Sequence, residues 1–118
     1  MFFLLLAGHA FADFPLQNGP MATCKCRCAK DPIQASVPWY YWLGAHSLIH
    51  GGMVSMIVNW CGFSMNAAVF MGISETIVHF LIDFCKCEKL YGIFVDQFLH
   101  VVCKFVWAIL LINYFAPI

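Results

Sequence analysis

Apolar residues gather into four stretches, at about 2–16, 39–60, 63–84 and 91–115. The last three reach the roughly 20 residues that an α-helix needs to cross a bilayer. The first is shorter, and Pro15 helps to end it. The segment 17–38 has a different character. Asp31-Pro32 and Pro38 keep it non-helical, and Lys25, Arg27 and Lys30 make it basic. A tight uncharged turn around Cys61-Gly62 joins the second and third stretches, whereas Lys86, Glu88 and Lys89 lie between the third and fourth. The pattern predicts an all-α fold: one transmembrane helical domain, 1–118, built as an integral membrane four-helix bundle.

The loops alternate, basic on one side and uncharged on the other. The positive-inside rule therefore places both basic loops in the cytoplasm and both termini on the opposite side. Trp39, Tyr40, Tyr41 and Trp42 fit an interfacial aromatic belt at the start of the second helix. The first stretch also has some features of a signal peptide, with Ala10-Phe11-Ala12 as a small-residue cleavage site. The missing basic n-region, and His9 and Asp13 at the site, argue against cleavage.

Composition narrows the function classes. Of 118 residues 63% are hydrophobic and 10% are charged, and the mean hydropathy is +0.81. Soluble domains are about half apolar and about a quarter charged. A disordered chain, a nucleic-acid-binding domain and a typical cytosolic enzyme are excluded on this ground, and the bilayer is the expected partner. Six basic residues balance six acidic ones, so net charge points to no partner.

Seven cysteines are present. Cys24, Cys26 and Cys28 alternate with Lys25 and Arg27, and Cys85 and Cys87 flank Lys86. The odd count and one-residue spacing do not fit a zinc knuckle. They are read as reduced thiols in cytoplasmic loops, with a labile metal or redox cluster as the competing reading.

Within the apolar stretches, ionisable residues recur at one spacing. The first carries His9 and Asp13, the second His46 and His50, the third Glu75, His79 and Asp83, the fourth Asp96, His100 and Lys104. Residues four apart share one face of a helix, about 6 Å apart along its axis. Each helix thus has one polar stripe, expected to face the bundle interior. Depth reckoned from the basic loops predicts a shallow layer of Asp13, His46, Asp83 and Asp96. A deeper layer would hold His9, His50, His79 and His100, with Glu75 and Lys104 below it as a pair.

Imidazoles mixed with carboxylates suit a divalent transition metal such as zinc, manganese or iron. The expected ligands are His9, Asp13, His46, His50, His79, Asp83, Asp96 and His100. Carboxylates left off the metal, from Asp13, Asp83 and Asp96, would orient histidines or act as general base. A lone buried histidine is more often a satisfied core residue, and intramembrane polar groups also join helices without chemistry. Four pairs at matching depth favour the metal reading. Gln17, Asn18 and Gly19 would cap the first helix or line the mouth of the site, as would Gln97. Gly51-Gly52 would let helices pack closely, and Met53, Met56, Met65 and Met71 are expected in the core or against lipid.

The motifs His9-Ala-Phe-Ala-Asp13-Phe-Pro-Leu-Gln17, His46-Ser-Leu-Ile-His50, His79-Phe-Leu-Ile-Asp83-Phe-Cys-Lys86 and Asp96-Gln97-Phe-Leu-His100 occur in this order. Their order resembles a family of small phage and bacterial membrane proteins, domain of unknown function 3307. The resemblance covers nearly the whole chain and implies a phage- or bacterium-encoded inner-membrane protein. It brings no known reaction, and Cys24 to Cys28 fall outside its pattern. A looser similarity, to bacterial inner-membrane metal-dependent hydrolases, is an analogy only.

Two functions are expected. One is a membrane-embedded metal-dependent hydrolase of a lipid or lipid-linked phosphate, with the stripes near the leaflet where headgroup and water meet. The other is a non-enzymatic protein: a proton or metal conduit extended by Glu75 and Lys104, or a phage interaction module. A homodimer across small-residue faces is compatible with either.

Overall fold

The computed structural model describes residues 1–115, so the last three residues of the domain 1–118 lie outside the described residues. Helices begin and end at local signals. They are α1 (Phe2–Asp13), α2 (Gly19–Cys24), α3 (Trp39–Trp60), α4 (Met65–Cys87) and α5 (Ile93–Tyr114), with one 3₁₀ turn at Pro32–Ala35. Among the described residues there is no strand. The fold is all-α.

The segment 17–38 is not wholly non-helical as expected. Asn18 caps α2 by accepting a hydrogen bond from the Met21 amide at 2.8 Å, and Pro20 fits the first turn, where no amide is needed. Met21 and Cys24 on this short helix are buried, and that burial holds a helix too short to persist alone. Ser64 caps α4 through the Ala67 amide at 3.2 Å, so α4 begins two residues after 63 and runs on to Cys87. Gly62 turns the chain between α3 and α4 with φ +87°, a conformation suited to glycine.

α4 and α5 are long and apolar enough to cross a membrane by length and composition. α3 has 22 residues, but Gly44, His46, Ser47, His50, Gly51, Gly52, Ser55 and Asn59 dilute its apolar character. α1 has 12 residues, a rise of about 18 Å against the roughly 30 Å of a hydrocarbon core.

The tightest packing joins α3 to α4. A Cβ on Gly51 would stand 2.5 Å from the Gly72 carbonyl oxygen, and one on Gly72 would stand 2.7 Å from that of Gly51. The Ser55 hydroxyl donates to the Ala68 carbonyl at 2.9 Å, one turn along. This small-residue face is therefore used within the chain. Gly52 meets nothing within 4 Å.

The interior divides along the bundle axis. Leu5, Val54, Val58, Phe63, Ala67, Ala68, Met71, Ala108 and Leu111 form an apolar cluster at one end. His9, His46, His50, Glu75, His79, Asp83, Asp96, His100 and Lys104 are buried in the remainder. The outer surface carries large apolar side chains, among them Phe3, Leu48, Phe70, Ile77, Phe94, Phe98 and Ile112. An apolar surface thus surrounds an interior that is polar over part of its length.

The cysteine expectation requires a correction. Cys26 and Cys87 form a disulfide, because the end of α2 is laid against the end of α4, while Cys24, Cys28, Cys61, Cys85 and Cys103 are free. Arg27 joins Glu88 in a two-pronged ion pair beside it, both contacts at 2.6 Å.

Two outcomes are expected. Alkylating denatured, unreduced protein adds five groups, and reduction exposes two more, as read by intact mass. Gly51→Leu forces the α3–α4 crossing apart and destabilises by about 1–3 kcal/mol or more, whereas Gly52→Ala is neutral or slightly stabilising. Thermal unfolding in detergent compares the two.

Candidate metal centre

The register set by Ser55–Ala68 and Gly51–Gly72 continues along α3 and α4. It lays the His50 ring on His79 with centroids 3.6 Å apart, and brings His46 Nε2 to 3.5 Å from Asp83 Oδ2. α1 approaches the same point because Gly8 leaves room: a Cβ there would meet Ile57 Cδ1 at 2.5 Å and Met53 Cγ at 2.8 Å. His9 then lies 4.8 Å from His50 and 4.7 Å from His100, ring centre to ring centre. The His79 and His100 rings are 4.2 Å apart. All five histidines of the chain thus meet in one cluster.

Carboxylates knit the rings together. Asp13 Oδ1 is hydrogen-bonded to His50 Nε2 at 3.0 Å and stands 3.4 Å from His46 Nε2, while Asp13 Oδ2 lies 3.3 Å from His9 Nε2. Asp83 Oδ1 is 3.2 Å from His100 Nε2 and 3.7 Å from His79 Nε2. Glu75 Oε1 is 3.4 Å from His79 Nδ1 on the other side of the ring. The two layers expected from depth are drawn into one continuous group, because each carboxylate reaches past its own turn.

Three sets of donor atoms lie within 4.8 Å of one another: His9, His50, Glu75 and His79; Asp13, His46, His50 and His79; and His79, Asp83 and His100. His79 belongs to all three. Seven of the eight residues expected as ligands take part. Asp96 is in none of the three sets. Its Oδ2 accepts from Lys86 at 3.2 Å and from Gln97 at 3.1 Å, and its Oδ1 is 3.7 Å from His100 Nε2. Glu75 enters a set, although the sequence suggested only a partner for Lys104.

The donor chemistry fits a divalent metal. Nδ1 of His9, His46 and His100 is buried without a hydrogen-bond partner, whereas Nε2 of His9 and His46 and both ring nitrogens of His79 have carboxylate oxygens at 3.3–3.7 Å without a well-aligned hydrogen bond. A buried polar group without a partner costs about 1–3 kcal/mol. Native interiors leave few such groups, and one metal ion shared among these nitrogens would satisfy them.

Charged groups close the cluster at both ends. Below it, Lys104 Nζ meets Glu75 Oε1 at 2.5 Å, and the Trp107 indole donates to Glu75 Oε2 at 2.6 Å. Above it, Lys25 Nζ donates to Asp83 Oδ2 at 2.6 Å, and both side chains are almost fully buried. Lys25 is a site residue that sequence reasoning treated only as loop charge. Its signal was a buried excess of carboxylates needing a cation, and nothing in its local spacing showed that α2 folds over the bundle. Farther out, Arg27 holds the Glu88 carboxyl below its ordinary value of 4.5. That pair's contribution is present above 4.5 and is lost as pH falls through the lowered value.

A cavity of about 240 Å³ opens onto the cluster, lined by Asp13, Phe14, Gln17, Lys25, Asp83, Lys86, Ile93 and Gln97. Gln17 and Gln97 do line this mouth. Asn18 caps α2 rather than α1.

Fold and site together define a small helical protein with apolar outer faces and a histidine–carboxylate centre. Residues 1–116 match the family described as Protein of unknown function (DUF3307). The chain belongs to this family. No curated protein and no solved structure matches it.

Breaking the lower ion pair should be costly. Glu75→Gln in metal-free protein leaves Lys104 buried without its carboxylate and is expected to lose about 3–5 kcal/mol. Glu75→Leu combined with Lys104→Met should recover most of that loss. Denaturant unfolding in micelles measures both.

Proposed function

We propose that this chain is a multi-pass membrane protein that holds a divalent transition metal in its histidine–carboxylate cluster. In this reading it uses that metal to hydrolyse a lipid or lipid-linked substrate. The single observation that carries the reading is the meeting of all five histidines with Asp13, Glu75 and Asp83, with Nδ1 of His9, His46 and His100 buried and unpartnered.

The apolar outer surface supports membrane embedding. Exposed Phe, Leu and Ile side chains on α1, α3, α4 and α5 are compatible with lipid, while the ionisable side chains of these helices are gathered inside. In this reading α1 and α3 join α4 and α5 in a four-helix bundle, and α2 covers the polar end.

A bound zinc, manganese or iron ion would supply Lewis acidity and activate water. His79, common to the three donor sets, would anchor it, with His50, His46, His9 and His100 as further nitrogen ligands. Asp13 faces the cavity and is linked to three histidines, so it serves as ligand or as proton acceptor for water entering from the mouth. Asp96, tied to Lys86 and Gln97, positions His100.

The apolar cluster favours a site over a conduit. Buried polar side chains continue down to Lys104, and beyond it Val54, Val58, Met71, Ala108 and Leu111 fill the interior. A proton or metal path would need polar groups through that half as well.

Elemental mass spectrometry of protein purified in detergent should find divalent metal bound to the wild type. His79→Ala should lose it and Asp96→Asn should keep it. Incubation with membrane lipid extracts should show turnover that stops with chelator. Metal-free wild type, together with no metal-dependent turnover, would overturn the reading.

A further inference from the structure

Charge balance within the cluster extends the metal reading and rests on it. Four carboxylates, Asp13, Glu75, Asp83 and Asp96, converge with three ammonium groups, Lys25, Lys86 and Lys104. With neutral imidazoles the group carries one net negative charge. One divalent cation would make it one net positive charge, held in a bundle with apolar outer faces. Uncompensated charge in such surroundings is expensive. An anion at the mouth would offset that charge.

The cavity at the mouth has the groups to receive that anion. Lys25 and Lys86 line it from different segments, and Gln17, whose amide donates once to the Asp13 carbonyl, has a second N–H to offer. Lys25 is held by Asp83 at 2.6 Å and Lys86 by Asp96 at 3.2 Å. A metal that takes Asp83 as a ligand would compete with Lys25 for it and free the ammonium toward the cavity. At about 240 Å³ the space is below the roughly 300 Å³ at which pockets begin to hold drug-sized molecules. It suits a headgroup better than a whole lipid. Phe14 and Ile93 line the same cavity, 76% and 50% exposed, and give it apolar lips.

We propose that this mouth binds a phosphate ester, with the phosphate between Lys25 and Lys86 and its apolar chain leaving past Phe14 and Ile93. The substrate class is an amphiphile with a phosphate headgroup, and binding depends on the metal.

The test uses the full chain in detergent, with and without zinc, and measures metal content in every sample. Labelled inorganic phosphate is the probe, with dihexanoyl phosphatidate and dihexanoylglycerol as competitors. Zinc-loaded protein should bind phosphate, phosphatidate should displace it, and the neutral diglyceride should not. Lys86→Gln should retain zinc and weaken phosphate binding by about tenfold or more, the loss of one charged hydrogen bond. Lys86→Arg should restore most of it.

Zinc bound without phosphate binding overturns this inference and leaves the metal reading standing. Equal phosphate binding without zinc overturns the dependence on charge balance. Phosphate that phosphatidate does not displace makes free phosphate the ligand and overturns the lipid assignment. Unchanged binding in Lys86→Gln overturns the lysine mouth.

Discussion

The structure depends on pairing ionised groups inside a bundle whose outside is apolar. Glu75, Asp83 and Asp96 are almost wholly withdrawn from water, and each is met by a lysine: Lys104, Lys25 and Lys86. Each lysine comes from a different place, two from the ends of secondary elements and one from the middle of α5. Removing a partner would strand a buried charge, a far larger penalty than losing a surface pair. This requirement explains why α2 folds back over the bundle. Its packing surface is small, only Met21 and Cys24, but Lys25 at its end completes the polar interior. The Cys26–Cys87 disulfide and the Arg27–Glu88 pair then fasten the residues that follow that contact in both segments.

Small residues do the complementary work. The Gly51–Gly72 approach brings the α3 and α4 backbones together, and that register stacks His50 on His79. Gly8 does the same for α1, placing His9 among the other rings. A larger side chain at any of these positions would separate the imidazoles before it touched them. The histidine cluster is thus a consequence of helix approach at a distance, and site and fold cannot be altered independently there.

Much of this was visible along the chain because a helix converts spacing into direction. His9 with Asp13, His46 with His50, and His79 with Asp83 had to share faces, and in the fold those faces turn inward. What spacing does not show is tertiary. Nothing near Lys25 says that its ammonium will travel to Asp83, 58 positions away, and nothing near Cys26 says that Cys87 will be its neighbour. The alternation of cysteine with basic residues read as a loop feature, whereas Lys25, Cys26 and Arg27 each have a separate partner on α4 or just beyond it. Glu75 was read as a partner for Lys104 alone, because four-residue spacing does not show that one carboxylate can serve a lysine, an indole and His79 at once.

These partners also change how the basic residues bear on orientation. The positive-inside rule counts Lys25, Arg27 and Lys86 as free loop charges that favour the cytoplasm. In the fold all three are engaged by Asp83, Glu88 and Asp96, so each has a pairing role of its own. Disulfides in general persist in oxidising compartments, whereas the charge rule favours the cytoplasm for the same two segments. Internal pairing is the stronger guide to why these side chains are here. It ties each one to a specific atom at a specific distance, whereas the charge rule reads only their number.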